Sequence, residues 1–177
     1  MSRRDLTIKW LLYAALTLPF LVIQQYLLNP LEVLGVHPFI IPLLGAMAAI
    51  FESRGESAFF SASLGILCDL LMPSVIPCFY TLSFLATAFL VGLLVGRVIM
   101  PGFLCAFICS AIASAINGLL YLFFLSYTID FAFFDGVALL ALELVLSLPA
   151  AVVLFPLYRC LYRGIHNEYS PLKGGSL

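Results

Sequence analysis

A long apolar stretch of the sequence runs from Phe103 to Tyr127 and reads FLCAFICSAIASAINGLLYLFFLSY. It contains no Asp, Glu, Lys or Arg. As a helix rising 1.5 Å per residue, it is long enough to cross the roughly 30 Å hydrocarbon core of a bilayer, even when tilted. A segment in lipid must satisfy its own backbone N–H and C=O groups, which a helix does. The stretch therefore predicts a transmembrane α-helix.

The whole chain has the composition of a membrane protein. Of its 177 residues, 64% are hydrophobic and only 10% are charged, whereas about 25% are charged in an ordinary soluble domain. Water is therefore not the solvent for most of the surface. We expect an all-α integral membrane protein surrounded by lipid, with no nucleic-acid partner.

Apolar segments separated by short polar breaks predict a bundle of six transmembrane helices. The first is expected to be retained, because it is longer than a usual signal core and no small-x-small cleavage site follows it. The second is so short that it must extend into its polar flanks, thin the bilayer or be sheltered by neighbours. Residues 1–166 form one transmembrane domain and 167–177 a mobile cytoplasmic tail. The predicted spans are residues 10–28, 39–51, 58–72, 79–96, 103–127 and 137–157.

The basic residues all fall on one side of this arrangement. The opposite connections carry Glu32, Asp130 and Asp135 and no Lys or Arg. The positive-inside rule therefore places both termini in the cytoplasm. The basic residues are, in chain order, Arg3, Arg4, Lys9, Arg54, Arg97, Arg159, Arg163 and Lys173.

Two carboxylates interrupt apolar sequence: Asp69 in the third span and Glu143 in the sixth, both toward the outer leaflet. An unpaired carboxylate in hydrocarbon is costly and normally faces the bundle interior, a cavity or a partner. Protonation, a shared proton, a group from another chain, or hydrogen bonds to hydroxyls and to amides such as Gln24, Gln25 or Asn117 would each accommodate them. These five residues are the predicted intramembrane polar residues, either as hydrogen-bonded links between helices or as a partner or ligand contact.

No catalytic or metal-binding pattern accompanies these residues. His37 falls in an outer loop, where a solvated surface histidine is expected. Cys105 and Cys109 share a helix face, but no His or carboxylate joins them, so they are interpreted as small buried apolar residues. We therefore predict a protein that is not an enzyme and that carries no metal and no cofactor.

Small residues recur at every fourth position on three of the predicted spans, which permits close helix packing within one chain or between chains. One such stripe, on the third span, lies within Ser57–Leu71, SAFFSASLGILCDLL. This segment resembles the signature of the rod shape-determining protein MreD family, in which a small-residue face, an aromatic, a Gly-Leu-like pair and an Asp follow in this order. The chain length, the basic N-terminal start and the short second span agree with the same family.

The resemblance implies a fold similar to the substrate-binding membrane subunit of energy-coupling factor transporters. It also implies a non-catalytic scaffold of the cell-wall elongation (rod shape) complex in the bacterial plasma membrane. An MreC-like single-span protein would be the direct partner. The elongation transglycosylase and transpeptidase and the actin-like filament would be linked indirectly. Ser61, Gly65 and Asp69 are the predicted partner contact.

The alternative function is that of the vitamin-binding membrane subunit of an energy-coupling factor transporter. In this interpretation the outer carboxylates line a ligand pocket together with Glu32, His37 and Asp130. Such subunits dock their energising subunit through an alanine-x-x-x-alanine face on the first span, whereas Ala14 and Ala15 are adjacent here. The scaffold is therefore the preferred interpretation.

Overall fold

A computed structural model of the chain describes residues 3–32, 35–72, 76–95, 102–128 and 133–167, with side chains for 7–32, 35–72, 76–95, 102–126 and 136–164. The regular elements within these ranges are helical, which confirms the all-α prediction for this part of the chain. Arg97, Asp130 and the predicted tail from residue 168 lie outside the described residues. The helices are α1 (Arg3–Ile23), continuing into a π-helical turn (Gln24–Leu28), α2 (Ile41–Phe51), α3 (Arg54–Leu71), α4 (Phe79–Leu94), α5 (Phe103–Thr128), α6 (Phe133–Ser147) and α7 (Pro149–Asn167).

The core is built around α2. Every residue from Ile41 to Ile50 is buried, and α2 contacts α3, α4, α5 and α7. Its 11 residues span only about 16 Å, far less than the thickness of a bilayer. Longer helices surround it, so this short apolar segment is sheltered by its neighbours.

Two described helical segments are long and apolar enough to cross a membrane, Thr7–Leu28 and Phe103–Ser126. A third crossing exists if α6 and α7 form one bent span, and α2 and α4 are shorter apolar helices. Along α1 the large apolar side chains Leu11, Leu18 and Val22 are exposed. Exposed apolar helices of this length indicate a membrane protein.

The segment predicted as one continuous span, residues 137–157, consists of two helices. They meet at a 45° bend between Ser147 and Pro149. Proline has no N–H to donate to the carbonyl four residues earlier, and its ring clashes with that carbonyl, so a helix breaks there and a new one starts. The Ser147 hydroxyl accepts a hydrogen bond from the backbone N–H of Phe39 at 3.0 Å. The bend thereby holds the start of α2.

The small-residue stripes pack the helices of this chain against one another. Ser57 and Ser61 on α3, and Ala106 and Ser110 on α5, are buried. A Cβ atom added to Gly118 of α5 would lie 2.4 Å from a methyl carbon of Leu140 on α6. The sequence left open whether such stripes pack helices within one chain or between chains. Among the described residues, they pack helices within the chain.

Candidate functional site

The three residues predicted to bind a partner are engaged inside the chain. Ser61 is fully buried, and a Cβ on Gly65 would lie 2.4 Å from the Cα of Thr81 on α4. A helix from another protein could therefore reach Gly65 only by displacing α4. Any partner contact of α3 has to use its opposite, exposed face, which carries Phe59, Ile66 and Leu70.

Asp69 caps the start of α4. Its carboxylate accepts hydrogen bonds from the backbone N–H groups of Tyr80 and Thr81, both at 3.0 Å, and from the Thr81 hydroxyl at 2.6 Å. The first N–H groups of a helix have no partner within it and carry a partial positive charge, so a carboxylate there is stabilised. Asp69 thus finds its partners on α4, and none of the amides considered from the sequence is needed.

Gln24 links the C-terminal end of α1 to the segment that enters α2. Its side chain is fully buried, donates to the carbonyl oxygen of Pro38 at 2.9 Å and accepts from the N–H of Ile40 at 2.9 Å. Gln25, in contrast, is exposed and accepts a hydrogen bond from Asn29. The structure therefore makes Gln24 a buried link between helices and leaves Gln25 on the surface.

Replacing Gln24 by leucine is expected to lower the free energy of unfolding by about 2–6 kcal/mol. The substitution leaves two buried backbone groups without partners, at about 1–3 kcal/mol each. The matched control is Gln25→Leu, which changes an exposed side chain and should stay within about 0.5 kcal/mol of the natural protein. Reversible unfolding in mixed detergent micelles measures both, and equal losses would contradict the assignment.

A buried charge network at the opposite end of the bundle was missed by the sequence analysis. Lys9 is 2% exposed and contacts the carboxylates of Glu52 at 2.6 Å and Glu56 at 3.0 Å. The Tyr13 hydroxyl donates to Glu52 at 2.7 Å, and the Ser53 hydroxyl donates to Glu56 at 2.9 Å. Lys9 is therefore an internal cation that joins α1 to the α2–α3 turn.

The spacing of this network was visible in the sequence. Lys9 and Tyr13 are four residues apart on one helix face, and Glu52 and Glu56 are four residues apart in the polar break between the second and third predicted spans. Burial alone would raise the pKa of Glu56, but hydrogen bonds from Lys9 and Ser53 outweigh it and hold this pKa below the ordinary carboxyl value. The network is thus favourable to the ionised form of Glu56.

An open cavity of about 380 Å³, named the outer cavity after the orientation predicted from the sequence, lies at the end of the bundle opposite Lys9, between the residues that precede α2 and the helices α4, α5 and α6. Glu143 and Asn117 line it, and so does His37, which the sequence placed in a solvated loop. Asn117 is buried and accepts a hydrogen bond from Ser83 at 2.9 Å. This cavity is the concave site where polar groups converge.

A second, apolar groove of about 170 Å³ lies between α1 and α3. Small residues, Ala14 of α1 and Ser63 of α3, contribute to its wall. Large side chains form the rest, including Trp10, Leu18 and Leu67. Leu18 and Leu67 are also exposed on the surface, so the groove opens to whatever surrounds the bundle.

The structure brings together only part of the predicted polar set. Glu143 and Asn117 share the outer cavity, whereas Asp69, Gln24 and Gln25 lie elsewhere. The described side chains include no group of three His, Cys, Asp or Glu residues that could hold a metal ion, and Cys105 and Cys109 face each other with 3.8 Å between their sulfur atoms. Comparison of the chain with protein-family models, with curated proteins and with solved structures gives no match.

Proposed function

We propose that this protein is a non-catalytic membrane scaffold of the bacterial cell-wall elongation complex, as its resemblance to the rod shape-determining protein MreD family implies. The observation that carries the proposal is the segment Ser57–Leu71. Two residues of this segment organise the bundle, because Gly65 lets α4 approach α3 and Asp69 caps α4. A family that shares this fold would need the same residue types at these positions, so a segment with this role in packing is suited to be the signature of the family.

We further propose six membrane crossings in the plasma membrane, with both termini inside. The crossings are α1, α2, α3, α4, α5 and the bent pair α6–α7. The charge distribution supports this arrangement, because Lys9 and Arg54 lie at one end of the bundle while the cavity that Glu143 lines lies at the other. Lipid contacts only the helices that surround α2. Because α2 is enclosed by protein, it does not have to be as long as the hydrocarbon core is thick.

Two native cysteines report this orientation. Cys78 precedes α4 on the proposed outer side and Cys160 lies between Arg159 and Arg163 on the inner side; both are exposed, whereas Cys68, Cys105 and Cys109 are buried. In cells with an intact plasma membrane, an impermeant maleimide should label the Cys160→Ser variant but not the Cys78→Ser variant. Permeabilisation should make the second variant reactive. The reverse pattern would show that the orientation is opposite to the one proposed. Labelling of both variants in intact cells would place both cysteines outside and would exclude the proposed arrangement.

The partner contact is best placed in the groove between α1 and α3. Interfaces between helices in membranes favour small residues, which let two backbones approach, and here Ala14 and Ser63 provide them. The groove takes an apolar helix side, as a single-span protein such as an MreC-like partner would present. The exposed Leu18 and Leu67 on its rim would then be covered.

Affinity purification from the native membrane tests the proposal. The tagged protein should recover an MreC-like protein and, through it, a transpeptidase. Ala14→Trp fills the groove from an exposed position and should reduce this recovery severalfold. Val152→Trp places the same bulk on an exposed position of α7 and should leave it unchanged. Equal recovery with both variants would show that the partner does not bind in the groove. Absence of any cell-wall protein would contradict the scaffold proposal.

The outer cavity favours a second candidate, the substrate-binding subunit of an energy-coupling factor transporter. Its volume of about 380 Å³ lies within the range of small-molecule sites. Of the residues proposed for such a pocket, His37 and Glu143 line the cavity, Asp69 caps α4 instead and Asp130 lies outside the described residues. Recovery of transporter ATPases in the same purification would establish this candidate in place of the scaffold.

A further inference from the structure

The outer cavity contains a carboxylate without a partner. Glu143 lines the cavity and, among the described side chains and backbone groups, makes no hydrogen bond and no ion pair. An isolated carboxylate near hydrocarbon is unfavourable, and a positive charge beside it would relieve that cost. Asp69, the other carboxylate that interrupts an apolar segment, is already satisfied by α4.

The charge of the whole outer side favours a cation over an anion. The connections on this side contain Glu32, Asp130 and Asp135 but no Lys or Arg. A cavity whose surroundings carry one sign of charge concentrates ligands of the opposite sign. An anionic ligand would find no Lys or Arg in these connections with which to pair.

Apart from Asn117 and His37, the rest of the wall is aromatic and apolar. Phe39, Phe79, Tyr80 and Tyr121 line the cavity, and the Phe79 ring lies 5.2 Å from that of Tyr80 and 6.1 Å from that of Tyr121. Aromatic ring faces attract an ammonium group, most strongly where water is excluded. A metal ion is a poorer fit, because it prefers several charged or strongly donating ligands, and the described side chains include no group of three His, Cys, Asp or Glu residues that could hold one.

We infer that the outer cavity binds a small organic cation, an amine carried on an apolar or aromatic body, with Glu143 as its counter-ion and the aromatic wall around it. This site does not depend on the scaffold proposal. A scaffold could respond to such a ligand and a transporter subunit could carry it. Binding to the purified protein therefore tests the cavity separately from any partner.

The probes are phenethylamine, which is protonated at pH 7, and 2-phenylethanol, a neutral molecule of nearly the same size. Titration calorimetry and thermal unfolding of the detergent-purified protein should show saturable binding of the amine and at least about tenfold weaker binding of the alcohol. Glu143→Gln should weaken amine binding by a similar factor and leave alcohol binding unchanged. Glu32→Gln removes an acidic residue of the same side that does not line the cavity and serves as the control.

Equal affinity for the amine and the alcohol, or no binding of the amine, would overturn the inference. Equal effects of Glu143→Gln and Glu32→Gln would also overturn it, because general surface charge would then explain any preference. If Glu143→Gln does not fold, the comparison of the two probes on the natural protein still decides. Leu139→Trp, which fills the cavity from an exposed position on its wall, should then abolish amine binding.

Discussion

Replacing Lys9 by methionine should lower the free energy of unfolding by about 3–5 kcal/mol, the usual cost of removing one partner from a buried ion pair. The loss is expected because Glu52 and Glu56 would remain close together without a cation between them. α1 would also lose a main attachment to the α2–α3 turn. Trp10, the single tryptophan of the chain, lies beside this network, so its fluorescence during detergent-based unfolding reports the change.

Two variants separate this network from a general effect of charge. Arg163→Met removes an exposed cation of the same end of the bundle and should change stability by no more than about 0.5 kcal/mol. Replacing Lys9, Glu52 and Glu56 together by Met, Gln and Gln should recover much of the loss, since no charge is then buried alone. A loss below about 1 kcal/mol for Lys9→Met would contradict the buried network.

The same network predicts a dependence on pH. Because hydrogen bonds lower the pKa of Glu56 below its ordinary value of 4.5, its contribution to stability is fully present above that value. The contribution is lost as the pH falls through the lowered pKa. Lys9→Met should flatten this acid-side decline.

Replacing Gly65 by alanine should cost about 3 kcal/mol, at the upper end of the range for overpacking a core. The added Cβ would lie 2.4 Å from the Cα and 2.8 Å from the N of Thr81, and 2.9 Å from the carbonyl oxygen of Tyr80. These are backbone atoms, so they cannot turn aside as a side chain could. α3 and α4 must separate, which also weakens the hydrogen bonds from Tyr80 and Thr81 to Asp69.

Gly55→Ala provides the matched control in the same helix. A Cβ there meets no atom within 4 Å, and alanine restricts the unfolded chain, so stability should be unchanged or rise by about 0.4–1 kcal/mol. Unfolding in mixed micelles compares the two variants. Similar values for Gly65→Ala and Gly55→Ala would show that α3 and α4 do not approach as closely as described.

Much of the helical pattern could be predicted from apolar runs, because a bilayer requires long helices without charged residues. The short second segment was recognised, but only the packing shows that α2 is enclosed. The break before Pro149 was missed because the predicted span contains two prolines, and the sequence does not show that Pro149 begins a new helix while Pro156 lies inside α7. Periodicity reveals which residues share a face, whereas it does not reveal what that face touches.

For the candidate site, too, the sequence revealed which residues are unusual but not what they contact. The sequence identified Asp69 and Glu143 as unusual, since carboxylates interrupt apolar segments. It could not distinguish them, because one is satisfied by a neighbouring helix and the other faces a cavity. Lys9 was counted with the flanking positive charges, and its burial depends on two carboxylates more than forty positions along the chain.

Site-specific photo-crosslinking in the native membrane tests whether this protein is a scaffold that holds a single-span partner between α1 and α3. A photoreactive amino acid is placed at Leu67 on the groove and, as the control, at the exposed Leu90 of α4. We expect a crosslink from position 67, and not from position 90, to an MreC-like single-span protein. Crosslinks from position 67 to lipid alone, or to a transporter subunit, would contradict it.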